Sequence, residues 1–128
     1  MRTIEELARK LESYAEVSYI WREDLGYIVW RNGTGDNLEF LFIEVVEQGK
    51  GKGVELYRLM AKKILEDGKR PYHSIYGFRL TGNTKAGKFY QKMGWHQVDF
   101  GQAIYGGDKT TLMWMEWNEF LTKIGLKD

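Results

Sequence analysis

The stretch EVVEQGKGKGVELYRLM, Glu44 to Met60, decides the fold class of the chain. It opens as a strand and closes as a helix, and between the two Gly49, Gly51 and Gly53 alternate with Lys50 and Lys52. A loop that leaves a buried strand and starts a helix turns free backbone N–H groups toward one point, where the helix dipole favours negative charge. Glycines let a ligand reach that backbone without meeting Cβ atoms, and the two lysines could add charge at its rim. The same residues also suit a flexible, exposed turn. Two common phosphate loops do not fit. Walker A needs a Lys-Ser/Thr pair after the last glycine, where Val54 stands, and the dinucleotide pattern G-x-G-x-x-G has a different spacing.

Upstream of the loop, LEFLFIEVV is apolar almost without interruption, as expected of a strand covered on both faces. VSYIW and GYIVWRN are short β-branched and aromatic runs, and NGTGD (Asn32 to Asp36) marks a turn, so the three runs predict an antiparallel meander. Before them, Thr3 and Glu6 form a capping box, and Ile4, Leu7, Ala8, Leu11 and Tyr14 predict an amphipathic helix over 4–15. Downstream, Val54, Tyr57, Met60, Ala61 and Ile64 mark the buried face of a helix that should stop near Asp67 and Gly68. YHSIYGFRL reads as a strand. NTKAGKFYQKMGW reads as a helix with Ala86, Phe89, Tyr90 and Met93 at helical spacing and Gly94 as its stop. HQVDFGQAIY and TTLMWMEW predict a hairpin around Gly106 and Gly107. A right-handed crossover through the first of these two helices would make LEFLFIEVV and YHSIYGFRL parallel neighbours in an otherwise antiparallel sheet.

At 128 residues the chain fits a single domain, 1–128, large enough to bury its own core. The formal net charge of +1 gives no global field to recruit nucleic acid or an anionic membrane, and neither is expected as a partner. The absence of cysteine rules out disulfides, thiolate nucleophiles and cysteine-based zinc sites, and His73 and His96 alone do not suggest a metal centre. The N-terminus lacks the apolar stretch of a signal peptide and no segment is long enough to span a membrane, which makes the cytoplasm the expected compartment.

The spacing from Gln48 to Gly53 is Q-x-x-G-x-G, lying between an apolar strand and an amphipathic helix. It resembles the acyl-CoA-binding loop of the GNAT superfamily of N-acyltransferases. NTKAGKFYQKMGW is similar to the later helix of that family, N-x-x-A-x-x-F/L-Y-x-K-x-G-F/W. The resemblance covers residues 38 to 117, while residues 1 to 37 form a reduced N-terminal region. It implies an α/β (α+β) fold with a mixed, mostly antiparallel twisted sheet, a central splayed parallel strand pair and flanking helices.

The resemblance also implies acetyl-CoA as acyl-donor substrate, with no metal. It places the backbone of Leu41, Phe42 and Ile43 beside the pantetheine arm, and Gln48, Gly49, Lys50, Gly51, Lys52, Gly53 and Val54 around the pyrophosphate. Asn83 and Tyr90 are seven residues apart, on one helical face and about 10 Å apart along its axis. The family assigns the Asn a hydrogen bond to the cofactor and the Tyr the protonation of the departing thiolate. On the residues alone, Asn83 could equally be a helix N-cap and Tyr90 a core aromatic. Direct attack by a neutral amine follows, with backbone N–H near Ile43 stabilising the oxyanion. For the general base, period-two alternation puts Glu39 and Glu44 on opposite faces of their strand. Glu39 is favoured because Glu44 approaches the phosphate loop; water, or no base, stays open, as does an exposed strand end for both residues.

The function expected is an N-acetyltransferase acting on an amine-bearing small molecule or protein, with room for a homodimer. The alternative is a catalytically weak or inactive acyl-CoA-binding sensor or interaction module, motivated by the unassigned base and the reduced N-terminal region. The acceptor, the acyl-chain preference and the oligomeric state are not specified by these residues.

Overall fold

A computed structural model of the chain describes residues 17–68, 72–105 and 108–127. The helix expected over 4–15 and the turn expected at Gly106 and Gly107 lie outside the described residues.

Three antiparallel strands come first: β1 (Ser18–Arg22), β2 (Gly26–Asn32) and β3 (Asn37–Val45). Gly26 opens β2 with φ +126°, and a Cβ there would lie 2.0 Å from the Glu44 carbonyl oxygen, so only glycine fits. The β2–β3 turn is held by Gly33 N–H donating to the Asn37 carbonyl at 2.8 Å and by Asn37 Nδ2 donating to the Thr34 carbonyl at 2.9 Å. After β3 the chain runs through the glycine loop into α1 (Lys52–Glu66), which ends at Asp67 and Gly68 as its sequence requires. β4 (Ser74–Leu80), α2 (Thr84–Met93), β5 (His96–Tyr105) and β6 (Asp108–Glu116) follow.

The sheet order is β1-β2-β3-β4-β6-β5, with β3 and β4 the one parallel pair. The predicted meander, crossover and closing hairpin are all present. One face of the sheet and the helices share a core. Ile28, Trp30, Leu38, Phe40, Ile75, Met113 and Met115 pack with Leu56, Met60 and Ile64 of α1 and with Tyr90 of α2.

The last helix, α3 (Trp117–Lys123), was not expected from the sequence. It starts from Glu116 in extended conformation with no side-chain cap, so no punctuation separates it from β6. Trp117, Phe120, Leu121 and Ile124 bury the side that meets the core, a helical spacing.

Candidate active site: the parting of β3 and β4

The parallel ladder is short. Asn37, Leu38 and Glu39 pair with Ser74, Ile75 and Tyr76, and beyond Glu39 the two strands part. A ring fills the base of the gap: a Cβ on Gly77 would lie 2.5 Å from Cε1 of Phe40, so Phe40 occupies the space that any other residue at 77 would claim. Phe40 is the first residue of β3 past the paired segment, and it packs against Tyr57, Tyr90 and Trp95 at ring-centroid distances of 5.9, 6.0 and 5.1 Å. From Phe40 to Val45 the edge of β3 that faces β4 has no ladder partner. This stretch contains Leu41 and Ile43, which are half-buried, and Phe42, whose side chain is exposed. Backbone groups left open along a strand are a template for another extended chain.

The glycine loop sits at the end of this gap. Gly49 and Gly51 have φ of +79° and +72°, and a Cβ at either would meet nothing within 4 Å, so the space beside the loop is open. Gly51 is the N-cap of α1 and supplies no side-chain acceptor. The first helical bond runs from Glu55 N–H to the Gly51 carbonyl at 3.1 Å, which leaves the N–H groups of Lys52, Gly53 and Val54 without intrahelical acceptors. Gly53 is closely packed: a Cβ there would stand 3.1 Å from Cζ of Phe89, where α2 meets the first turn of α1. Gln48 and Lys50 are exposed, and Val54 is half-buried against the core. Lys52 fastens the loop: its Nζ donates to the Asp24 carbonyl at 2.8 Å and lies 3.6 Å from Glu47 Oε2.

On α2, Asn83 is the N-cap, its Oδ1 accepting from Ala86 N–H at 3.1 Å. Tyr90, two turns on, is only 8% exposed. Burial pushes its phenol up to about 12, against the opposing pull of the Tyr57 hydroxyl and the Arg79 guanidinium. Tyr90 therefore holds its proton throughout the neutral range. Arg79 is absent from the sequence-based site. Its Nε donates to Gln97 Oε1 at 2.9 Å, and its Nη1 donates to the carbonyls of Thr81 and Asn83 at 3.1 and 3.3 Å. Gly87 makes room for it, because a Cβ there would lie 2.8 Å from Nη2. Gly87 is thus the sequence signal for a guanidinium packed under α2.

Glu39 and Glu44 correct the alternation argument. Glu39 Oε1 accepts from Arg31 Nε at 2.9 Å, and Glu44 Oε2 accepts from the Tyr27 hydroxyl at 2.6 Å. Arg31 and Tyr27 are four apart on β2 and share a face, so both carboxylates lie on the side of the sheet opposite the described helices. A bulge is the cause: Val29 faces Phe42 while Trp30 faces Phe40, which leaves Leu41 as an extra residue. Glu39 is buried and Glu44 exposed.

On that same face a shallow groove of about 290 Å³ runs along β4 and β6 to Phe78, past the last parallel pair. It is lined by Asn37, Ser74, Tyr76, Phe78, Leu112 and Trp114. A larger hollow, about 660 Å³, lies between β1 and the outer turns of α1, bounded by Trp21, Leu59 and Lys62, and contains none of the candidate residues. Among the described residues no group of three or more His, Asp or Glu could hold a metal ion, and no helix is long and apolar enough to cross a membrane.

No family model matches the sequence, and no curated protein matches it by sequence. Solved structures do match the fold. The chain superposes on nourseothricin acetyltransferase with a TM-score of 0.64 at 21% identity, over 80% of this chain and 66% of that one, just under two thirds of its length. It superposes on an acetyltransferase from Bacillus subtilis in complex with CoA with a TM-score of 0.58 at 17% identity, over 88% and 84% of the two chains. For the dodecameric spermidine N-acetyltransferase of Vibrio cholerae the values are 0.63 and 20%, over 94% and 76%. Further matches are assigned to the GNAT family. The chain has the GNAT acetyltransferase fold.

Proposed function

We propose that the protein is an acetyl-CoA-dependent N-acetyltransferase that transfers the acetyl group directly to an amine. The observation that carries this reading is the parting of β3 from β4 beside the buried Tyr90, with the uncapped start of α1 at its end. The residues present fit the donor. Gly49 and Gly51 keep side chains out of the open space beside the loop, and the N–H groups of Lys52, Gly53 and Val54 suit a pyrophosphate. Lys50 and Gln48, exposed on the loop, are the side chains open to such a ligand, while Lys52 ties the loop to the Asp24 carbonyl. The open edge at Leu41, Phe42 and Ile43 suits an extended pantetheine arm, and Asn83 Nδ2 is the candidate contact from α2.

Acetyl-CoA supplies an activated acyl group. Around it, the protein's own groups do three things. Backbone N–H near Ile43 stabilises charge on the carbonyl oxygen. Tyr90, held neutral by burial, donates its proton to the leaving sulfur. Glu39, buried beside Arg31 on the face it shares with Glu44, takes the proton of the incoming ammonium, directly or through water. The acceptor approaches over that face, along the groove lined by Tyr76 and Trp114, whose ring faces attract cations. The amine belongs to a small molecule or a protein, in the way spermidine is the substrate of one structural relative. We place the protein in the cytoplasm and, given the dodecameric relative, expect self-association.

A second reading, a CoA-binding module with little or no turnover, is favoured by one observation: Arg31 already occupies Glu39. Calorimetry with acetyl-CoA and thiol release over an amine panel that includes spermidine separate the two. Saturable binding with amine-dependent thiol release supports the enzyme, binding without release supports the module, and no binding overturns both.

A further inference from the structure

Among the described residues, two buried side-chain atoms lack a hydrogen-bond partner, Tyr57 Oη and Arg58 Nε. Arg58 lies at the surface of α1 with Glu55 Oε2 3.9 Å from its Nε, whereas Tyr57 is wholly enclosed. A phenylalanine would fill the same space without a hydroxyl to desolvate, so the oxygen calls for a reason. Its neighbourhood supplies one. Tyr57 lies four residues past Gly53, on the turn of α1 that follows the one next to the glycine loop. Its ring packs on Phe40 and Trp95 at 5.9 and 6.0 Å, and Tyr90 packs on the same two rings at 6.0 and 6.1 Å. The two phenols thus share one aromatic cluster at the base of the strand gap. They lie near enough for each to influence the other's ionisation, yet the Tyr57 hydroxyl makes no hydrogen bond of ordinary geometry.

We propose that Tyr57 is a positioning residue for the acid: as Tyr90 gives up its proton, the Tyr57 hydroxyl donates to the Tyr90 oxygen and holds the phenolate until solvent restores it. This rests on the assignment of Tyr90 under the proposed function. In that step the amine nitrogen bonds to the carbonyl carbon, the carbon–sulfur bond breaks with its electron pair on sulfur, and sulfur takes the Tyr90 proton. The surplus proton of the amine leaves to Glu39 or water, and a proton from water returns to Tyr90.

The groups packed round Tyr90 agree with this division of work. From β4 the Arg79 guanidinium favours the phenolate, from α1 the Tyr57 hydroxyl does the same, and Phe40, Trp95 and Phe89 bring no charge. Burial opposes both and dominates, and it raises Tyr57 well above its ordinary value too, so that Tyr57 stays protonated, as a donor must be.

Tyr57→Phe is the test, read in a protein carrying a fluorinated tyrosine at position 90, whose ionisation falls at a pH the fold tolerates and is followed by fluorine NMR. The substitution should move the titration at 90 upward by on the order of one pH unit. In the unlabelled protein it should lower kcat roughly 10-fold, leave acetyl-CoA affinity unchanged and leave Tm unchanged or raised. An unshifted titration overturns the proposal while leaving the acetyltransferase reading intact if turnover persists. A shifted titration in a protein that acetylates no amine supports the tyrosine pair and counts against the acetyltransferase reading. A shifted titration with wild-type kcat in an active enzyme removes Tyr57 from the reaction.

Discussion

α1 and α2 each follow one strand of the parallel pair and enter the same aromatic core, but they begin differently. α1 starts at Gly51 with φ 72° and no side-chain cap, whereas α2 starts at Asn83, whose carboxamide oxygen accepts from the Ala86 N–H. A missing cap costs about 1 kcal/mol. With 15 residues, α1 can bear this cost, because Leu56, Tyr57, Met60, Ala61 and Ile64 bury a full face. α2 has 10 residues and buries Gly87 and Tyr90, so its own end must be satisfied. The helix that packing secures is free to offer its N-terminal donors to a ligand. In the proposed enzyme the helix that needs its cap contributes its chemistry from two turns further in. The proposed site thus divides into a binding end on α1 and a reacting side chain on α2, and each substitution below should disturb one without the other.

The largest effect is expected at Tyr90. Tyr90→Phe keeps the ring contacts with Phe40 and Trp95 but removes the proton donor, so kcat should fall roughly 10- to 10⁴-fold with acetyl-CoA affinity little changed. The same residue shapes alkaline stability. With its folded value near 12 against an ordinary 10, the folded state holds this proton more tightly than the unfolded chain does. The resulting stabilisation is complete below pH 10 and is lost as pH rises through about 12, so Tyr90→Phe should flatten that part of the alkaline unfolding curve. A parallel loss of folding at neutral pH and of binding would reduce Tyr90 to a core aromatic. Next in size is Gly51→Asp. It puts a carboxylate where the open N–H groups point and a Cβ at positive φ, so acetyl-CoA affinity should drop by about 10²-fold. Unchanged affinity by calorimetry in a folded variant would erase the contrast between the two helix ends.

Much of this arrangement can be read from residue order. The alternating glycines, the apolar strand before them and the capped helix from Asn83 carry enough local pattern to fix the elements and their sequence. What is not legible depends on a second strand or helix. Nothing in LEFLFIEVV marks Leu41 as a bulge. The extra residue follows from how Trp30 and Phe40 share the core face, so alternation failed for Glu39 and Glu44. Tyr57 looks like one more apolar helix position until its oxygen is found enclosed beside Tyr90. α3 was readable in principle from Trp117, Phe120, Leu121 and Ile124, but with no cap at Glu116 the apolar run of β6 extends into it.

A smaller effect is expected at the two carboxylates that the bulge brings to one face, Glu39 buried and Glu44 exposed. Glu39→Gln should lower kcat/KM by roughly 10-fold at low pH, where free amine is scarce, and by less at high pH. Glu44→Gln, at an exposed carboxylate hydrogen-bonded to Tyr27, should do less. Because Arg31 would lose its charged partner, the Glu39 variant needs a companion, Arg31→Gln. If Glu39 acts as base, freeing it from Arg31 should not abolish the pH dependence. Wild-type pH–rate profiles for both Glu variants would mean that the amine arrives neutral or loses its proton to water.

The smallest effect sharpens the comparison most, because Asn83 has two ends. Its Oδ1 is committed to the Ala86 N–H, while Nδ2 is the end proposed to meet the donor substrate. Three substitutions separate these tasks. Asn83→Ser keeps an N-cap acceptor and should hold Tm close to wild type, whereas Asn83→Ala loses the cap and should cost about 1 kcal/mol. Asn83→Asp keeps the acceptor, and its charge suits a helix start, so it should be as stable as wild type or slightly more so. None of the three supplies an amide donor. If Nδ2 binds, acetyl-CoA affinity should fall several-fold in all three, most in Asp, where a negative charge replaces the donor near a phosphate-bearing ligand. If affinity instead tracks Tm, with Ser and Asp like wild type and only Ala impaired, then Asn83 is a cap and nothing more, and cofactor recognition at the start of α2 falls to the backbone alone.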